Sequence, residues 1–175
     1  MGKTCKTFAL ILTIVFAMSC LTLPTVKPVN AQTIPTPSVP QFTVKVNSTE
    51  LQVVIKNQPF TPYVSNGQNI TLYYNVRVKR QIDQAYSVMY TPEFTYPAQS
   101  TSDYTTLTYK SIQVENKNDF FVLGGLCEQT PPDTNVSFEV QAMIGSINDP
   151  YGNGDLVFNG TESGWSSPQT VTMSQ

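Results

Sequence analysis

The chain has 175 residues, with 10 basic and 12 acidic side chains and no histidine. The lack of histidine removes the usual general base, a common metal ligand and every histidine-dependent nucleophilic arrangement. No Lys/Arg cluster is present, which argues against nucleic acid, because binding phosphates requires a positive surface. Composition therefore predicts a protein that is not an enzyme and has no cofactor; a carboxylate-dependent hydrolase is the alternative.

The first 31 residues have the pattern of a signal peptide. A basic start precedes an uncharged apolar run at residues 8–16, and Val29-Asn30-Ala31 forms a small-residue cleavage site. The run is shorter than the roughly 20 apolar residues of a spanning helix. We expect cleavage after Ala31 and a secreted or cell-surface protein with no membrane span. Lipidation of Cys20, or retention of the leader as an anchor, is the alternative.

Removal of residues 1–31 changes the charge and the cysteine content. The mature chain has seven basic and twelve acidic residues, a net charge of −5, and Cys127 as its only cysteine. An intrachain disulfide is thereby excluded. A buried free thiol is expected for Cys127, with an intermolecular disulfide as the alternative.

Two regions follow the leader. Residues 32–41 contain three prolines and predict an extended linker. From residue 42 to residue 175, apolar and polar residues alternate, as they do in strands with one buried face. No fixed repeat and no helical apolar stripe is present. The pattern predicts a single all-β domain of about seven short strands, arranged as two antiparallel sheets.

Two strands show the alternation most clearly. In the segment 70–79, alternate residues from Ile70 to Val78 are apolar; in the segment 136–144, those from Val136 to Ile144 are. The outward side of the second strand is expected to carry Ser137, Glu139, Gln141 and Met143. Weaker strands are predicted at residues 42–46, 51–56, 86–90, 104–110 and 169–173.

The final third of the chain resembles a fibronectin type III domain. Thr134 to Ala142 is similar to the sixth strand of that family, Gly164 to Thr172 to its closing strand, and Ile70 to Lys79 to its third strand. The resemblance covers about residues 40–174 and implies an immunoglobulin-like sandwich that acts in protein interaction, adhesion or envelope structure. The Pro/Thr-rich start and the segment Val54 to Tyr63 also resemble secreted archaeal proteins, which implies no particular activity.

Candidate modification and metal sites lie between the predicted strands. The loop from Asp149 to Asp155 has oxygen ligands suited to calcium, but Gly160 stands where an EF-type loop needs a glutamate. We therefore interpret it as a glycine-rich turn and expect no metal. Four Asn-X-Ser/Thr sequons predict glycosylation, at Asn47, Asn69, Asn135 and Asn159.

The candidate binding residues are mostly aromatic. The connections 57–69 and 145–164 are expected to meet at one end of the sandwich and to bring together Phe60, Tyr63 and Tyr151. Tyr63 and Tyr151 would contact an extracellular protein or a glycan, whereas Phe60 and Trp165 would pack against the sandwich edge. The second candidate surface is an outward sheet face formed by Tyr73, Arg77, Glu139 and Met143.

Overall fold

Ten strands form two antiparallel sheets in the described part of the computed structural model. It describes residues 33–47, 50–92, 95–114, 117–121 and 133–173. The predicted signal peptide and Cys127 lie outside these ranges. The first sheet has the order β1-β2-β6-β7 and the second β10-β8-β4-β3, with β5 pairing β4 and β9 pairing β8. The bounds are β1 Phe42–Val46, β2 Glu50–Lys56, β3 Tyr63–Ser65, β4 Gln68–Arg80, β5 Ser87–Val88, β6 Tyr104–Val114, β7 Lys117–Phe121, β8 Thr134–Asn148, β9 Val157–Glu162 and β10 Gln169–Met173.

The long strands β4 and β8 form the centre of the second sheet, and short segments share their outer edges. β10 pairs with the first residues of β8, and β9 pairs with the last. On the other side, β3 and β5 pair with opposite ends of β4, and Ala98 bridges to Tyr73 between them. Most of the central backbone is therefore hydrogen-bonded on both sides.

One apolar core lies between the two sheets. The alternating residues of β4 and β8 face it as predicted, and those of β1, β2 and β6 close it from the first sheet. At about 25 cal/mol per Å² of buried apolar surface, such side chains supply the main folding free energy. An all-β, two-sheet antiparallel domain is thus confirmed. The buried cluster comprises Phe42, Leu51, Val53, Ile55, Ile70, Leu72, Tyr74, Val76, Val78, Met89, Leu107, Tyr109, Val136, Phe138, Val140, Ala142, Ile144 and Met173.

Three strands, β3, β7 and β9, escaped prediction. Where β3 and β9 occur, the sequence signals a turn or a loop. β3 and β4 form a hairpin around Asn66 and Gly67, which have φ angles of 50° and 76°. Both turn positions therefore have the positive φ of a tight two-residue hairpin. β9 has only two large apolar residues, Val157 and Phe158. It is formed by pairing with the end of β8, which continues to Asn148 beyond the predicted limit.

From residue 33 the proline-rich segment is extended and lies against the domain. Ile34 packs against the core, and Pro37 and Pro40 are buried. Ser38 makes three hydrogen bonds with the Gln58 side chain. The segment therefore contributes to the folded domain. No helix in the described ranges has the length and apolar character needed to cross a membrane.

Candidate ligand-binding groove

Of the three aromatic residues expected at one loop end, two are in ring contact within the described part of the chain. Phe60 and Tyr63 are in contact, with ring centroids 6.1 Å apart. Tyr63 is half-buried, and its hydroxyl is fully buried with no hydrogen-bond partner among the described residues. Tyr151 is 80% exposed and makes no ring contact within the described part of the chain. Of the two proposed contact residues, only Tyr151 offers most of its ring to solvent.

The outward face of the second sheet is covered more than its polar sequence predicts. Glu139 is only 7% exposed and Met143 only 2%, so their assignment to an exposed face is wrong. Tyr73 is half-buried and meets the ring of Phe158, which in turn meets Tyr96. Side chains from the loops and from β9 lie over this face, a tertiary arrangement that strand alternation cannot reveal.

Arg77 is held in a closed stack on the same face. Its guanidinium lies 4.6 Å from the ring centroid of Tyr86 and 4.5 Å from that of Trp165. The Arg77 Nε donates to the Glu139 carboxylate at 2.6 Å, and the two side chains form an ion pair. Burial raises the pKa of Tyr86, and its hydrogen bond to the Glu139 carboxylate raises it further. The cation is thus already engaged by three side chains of its own domain.

Two serines position Trp165 over Arg77. Ser163 and Ser166 each accept a hydrogen bond through the hydroxyl from a β8 amide, that of Ala142 and that of Val140 respectively. Their own amides donate back to the Ala142 and Val140 carbonyls. This segment therefore continues the ladder between β9 and β10 with side-chain acceptors. It fixes the two residues between the serines, Gly164 and Trp165.

The loop at Asp149 is a hydrogen-bonded turn. The Asp149 carboxylate accepts from the amides of Tyr151, Asn153 and Gly154, and these bonds, that of Gly154 first, lower its pKa. No group of three or more His, Cys, Asp or Glu side chains that could hold a metal occurs among the described residues. This carboxylate organises its own loop.

All four sequon asparagines, Asn47, Asn69, Asn135 and Asn159, are exposed. Exposure is a requirement for a glycan to extend into solvent. Asn69 lies beside the exposed Val64 across the β3–β4 hairpin. Glycosylation at these positions stays a prediction.

A groove of about 840 Å³ lies between the loop after β2 and the loop before β6. Its size falls within the range of about 300–1,000 Å³ that is typical of small-ligand sites. Lys56 and Tyr104 stand opposite each other where the two strands meet it, and Tyr104 is 52% exposed. The lining residues are Lys56, Asn57, Gln58, Pro59, Phe60, Thr61, Pro62, Thr71, Leu72, Gln99, Ser100, Thr101, Ser102, Asp103 and Tyr104.

Asn57 fixes one side of the groove. Its Nδ2 donates to the Ser100 carbonyl at 3.0 Å and to the Ser102 carbonyl at 2.7 Å, and its backbone amide donates to the Asp103 carbonyl. Its Oδ1 accepts from the Thr105 hydroxyl at 2.6 Å. Asn57 thereby holds residues 100, 102 and 103 of this loop in place.

Two glutamines continue this network across the groove floor. The Gln99 side chain accepts from the Gln58 amide at 2.9 Å and donates to its carbonyl at 2.9 Å. The Gln58 side chain in turn accepts a hydrogen bond from the Ser38 amide at 3.0 Å and donates one to the Ser38 carbonyl at 2.7 Å. The Tyr74 hydroxyl lies 2.8 Å from Gln99 Oε1, and burial raises the Tyr74 pKa to about 12. The walls are therefore cross-linked before any ligand arrives.

Sequence reasoning found only the Phe60 side of this groove. The opposite wall, residues 99–104, lies in a polar stretch that carries no motif. The alternation around residue 104 did predict β6, but it could not show that Tyr104 faces solvent next to the loop after β2. No protein-family model matches the chain, and no curated protein is significantly similar to it.

Proposed function

We propose that this protein is an extracytoplasmic recognition module that binds its ligand in the groove between residues 57–62 and 99–104. The groove itself is the observation that carries the proposal. It combines a volume suited to a small ligand, an exposed aromatic ring in Tyr104 and loops held rigid by Asn57 and Gln99. Rigid walls reduce the entropy lost on binding, which favours affinity.

The strand order supports the finer assignment to a fibronectin type III-like module. The first sheet joins β1, β2 and β6, and the second places β8 between β4 and β10. Two early strands pairing with a later one, opposite a sheet of the remaining strands, is the Greek-key pattern of immunoglobulin-like sandwiches. Loops at the ends of such sandwiches commonly bind partners.

A binding role, not a catalytic one, accords with the titratable groups. The shifted pKa values of Asp83 and Asp149 arise from hydrogen bonds to Arg80 and to backbone amides, and those of Tyr90 and Tyr109 from burial. Each shift has a structural cause. With the predicted export, the proposal is a secreted or cell-surface module that holds an extracellular partner.

The proposal is tested by filling the groove without disturbing the fold. Thr61 and Thr101 are exposed lining residues, so Thr61→Trp or Thr101→Trp would occupy the groove while leaving the core intact. Fluorescently labelled protein, produced from the full chain, is titrated against the cell envelope of the producing organism. We expect saturable binding that each substitution weakens by at least about tenfold, or about 1.4 kcal/mol.

Tyr151→Ala is the matched control, because it removes an exposed aromatic outside the groove. It should leave envelope binding unchanged. Binding that is lost with Tyr151→Ala but retained with both tryptophan variants would contradict the proposal.

A further inference from the structure

We infer that the groove takes a neutral carbohydrate chain. The inference rests on the proposed function, since it names the ligand class of the same groove. It follows from three features of the lining: which polar groups are already paired, which are free, and what net charge the free ones carry.

Part of the loop backbone in the groove is already hydrogen-bonded within the domain. The backbone amide and carbonyl of Gln58 are hydrogen-bonded to the Gln99 side chain, and the carbonyls of Ser100 and Ser102 accept hydrogen bonds from Asn57. The Asp103 carbonyl accepts from the Asn57 amide. A peptide bound by strand addition needs a row of unpaired backbone N–H and C=O groups. These backbone groups of residues 58, 100, 102 and 103 are therefore not available to a peptide strand.

Several polar side chains of the lining are free. No hydrogen bond or ion pair with another described residue engages the side chains of Lys56, Thr61, Thr101, Asp103 or Tyr104. An ammonium donates, a carboxylate accepts, and hydroxyls do both. A ligand with many hydroxyl groups can use all three kinds, because each of its hydroxyls is both donor and acceptor.

The charge of the lining and its exposed aromatic ring further restrict the chemical class of the ligand. Lys56 and Asp103 are the only charged residues of the lining and cancel each other, so the groove has no charge preference for an acidic or basic ligand. The ring of Tyr104 is 52% exposed, and an aromatic face can pack against the C–H face of a sugar ring. An uncharged saccharide matches both properties.

The test compares binding to the cell envelope before and after either its sugars or its proteins are selectively destroyed. Envelope is treated either with mild periodate, which cleaves the vicinal diols of sugars, or with a protease, and is then titrated with the labelled protein. Short neutral and acidic oligosaccharides are titrated in parallel. We expect periodate to abolish binding, protease to spare it, and neutral oligosaccharides to bind better than acidic ones. Tyr104→Ala should weaken oligosaccharide binding by about tenfold, and Tyr151→Ala should not.

The outcomes separate the ligand class from the function of the groove. Binding that Thr61→Trp blocks, but that protease abolishes and periodate spares, would overturn the carbohydrate and leave the groove as a protein-binding site. Preference for acidic oligosaccharides would also overturn the inference. Envelope binding that neither tryptophan variant affects would contradict the proposed function itself.

Discussion

The stack around Arg77 gives the sharpest prediction about stability. Arg77→Met keeps an apolar stem but removes the charge that faces the buried Glu139 carboxylate. Breaking a buried ion pair costs about 3–5 kcal/mol, and the 28% exposure of the Arg77 side chain reduces that to about 2–3 kcal/mol. Loss of the two ring contacts adds about 0.5–1 kcal/mol each. We therefore expect a destabilisation of about 3–5 kcal/mol.

Urea unfolding followed by far-ultraviolet circular dichroism measures this free energy. A domain of this size loses roughly 2–4 °C of Tm per kcal/mol, so thermal unfolding should fall by about 10 °C. Lys79→Met is the control, since the Lys79 ammonium lies 5.9 Å from the ring centroid of Tyr86 but forms no ion pair with a carboxylate among the described residues. It should cost less than about 0.5 kcal/mol.

A double-mutant cycle identifies the ion pair as the cause. Adding Glu139→Gln to Arg77→Met removes the unpaired charge, so the two substitutions should be non-additive by more than about 1 kcal/mol. Equal destabilisation by Arg77→Met and Lys79→Met, or additivity within about 0.5 kcal/mol, would refute the reasoning.

Three further predictions concern the groove floor, the β8–β9 pair and acid stability. Tyr74→Phe removes the hydroxyl beside Gln99 and should cost about 1–2 kcal/mol in urea. The pKa of Tyr74 is about 12 in the folded protein and ordinarily 10, so its contribution to folding stability is present below pH 10 and lost as the pH rises toward 12. Tyr74→Phe should therefore lose less stability than the unmodified protein over this pH range. Gly160→Ala would place a Cβ 2.1 Å from the Ile144 carbonyl oxygen, so it should lower Tm by several degrees; an unchanged Tm would show that the strands can separate without cost. Hydrogen bonds from Arg80 lower the pKa of Asp83. The contribution of Asp83 to folding stability is therefore present above pH 3.8 and lost as the pH falls below that value. Asp83→Asn should flatten that acid limb, and an unaltered pH–stability curve would contradict this assignment.

Strand alternation predicted the core because burial follows the two-residue period of a strand. Ile70, Leu72 and Tyr74 face the core as their spacing required, and so do Phe138 and Val140. The long central strands were recognisable because each carries many repeats of the pattern. The short edge strands β3 and β9 carry few, and their existence depends on a neighbour supplying hydrogen bonds.

The outward face was harder to predict, for a physical reason. Glu139 is polar and alternates correctly, which suggests solvent, but Arg77 neutralises it while Tyr86 and Trp165 cover the pair. A charged residue can be buried when its partner is held opposite it. That partner lies on the neighbouring strand, far away in sequence, so local pattern gives no sign of it.

The groove depends on contacts that are equally remote in sequence. Asn57 binds Ser100 and Ser102, more than 40 residues later, and Gln58 binds Ser38. Asparagine, glutamine and serine in a polar stretch indicate a loop, but not which loop they will hold. The sequence therefore predicted binding at a loop end, whereas the position of the groove required the fold.

Chemical-shift mapping with the cell-envelope ligand locates the binding surface residue by residue. Isotope-labelled protein from the full chain is titrated with oligosaccharides released from the envelope, and backbone amide shifts are followed. We expect the largest changes to cluster at residues 56–62 and 99–104, and the Asp149 turn to be unaffected. Changes concentrated around Tyr151, or on the outward face near Arg77, would contradict it.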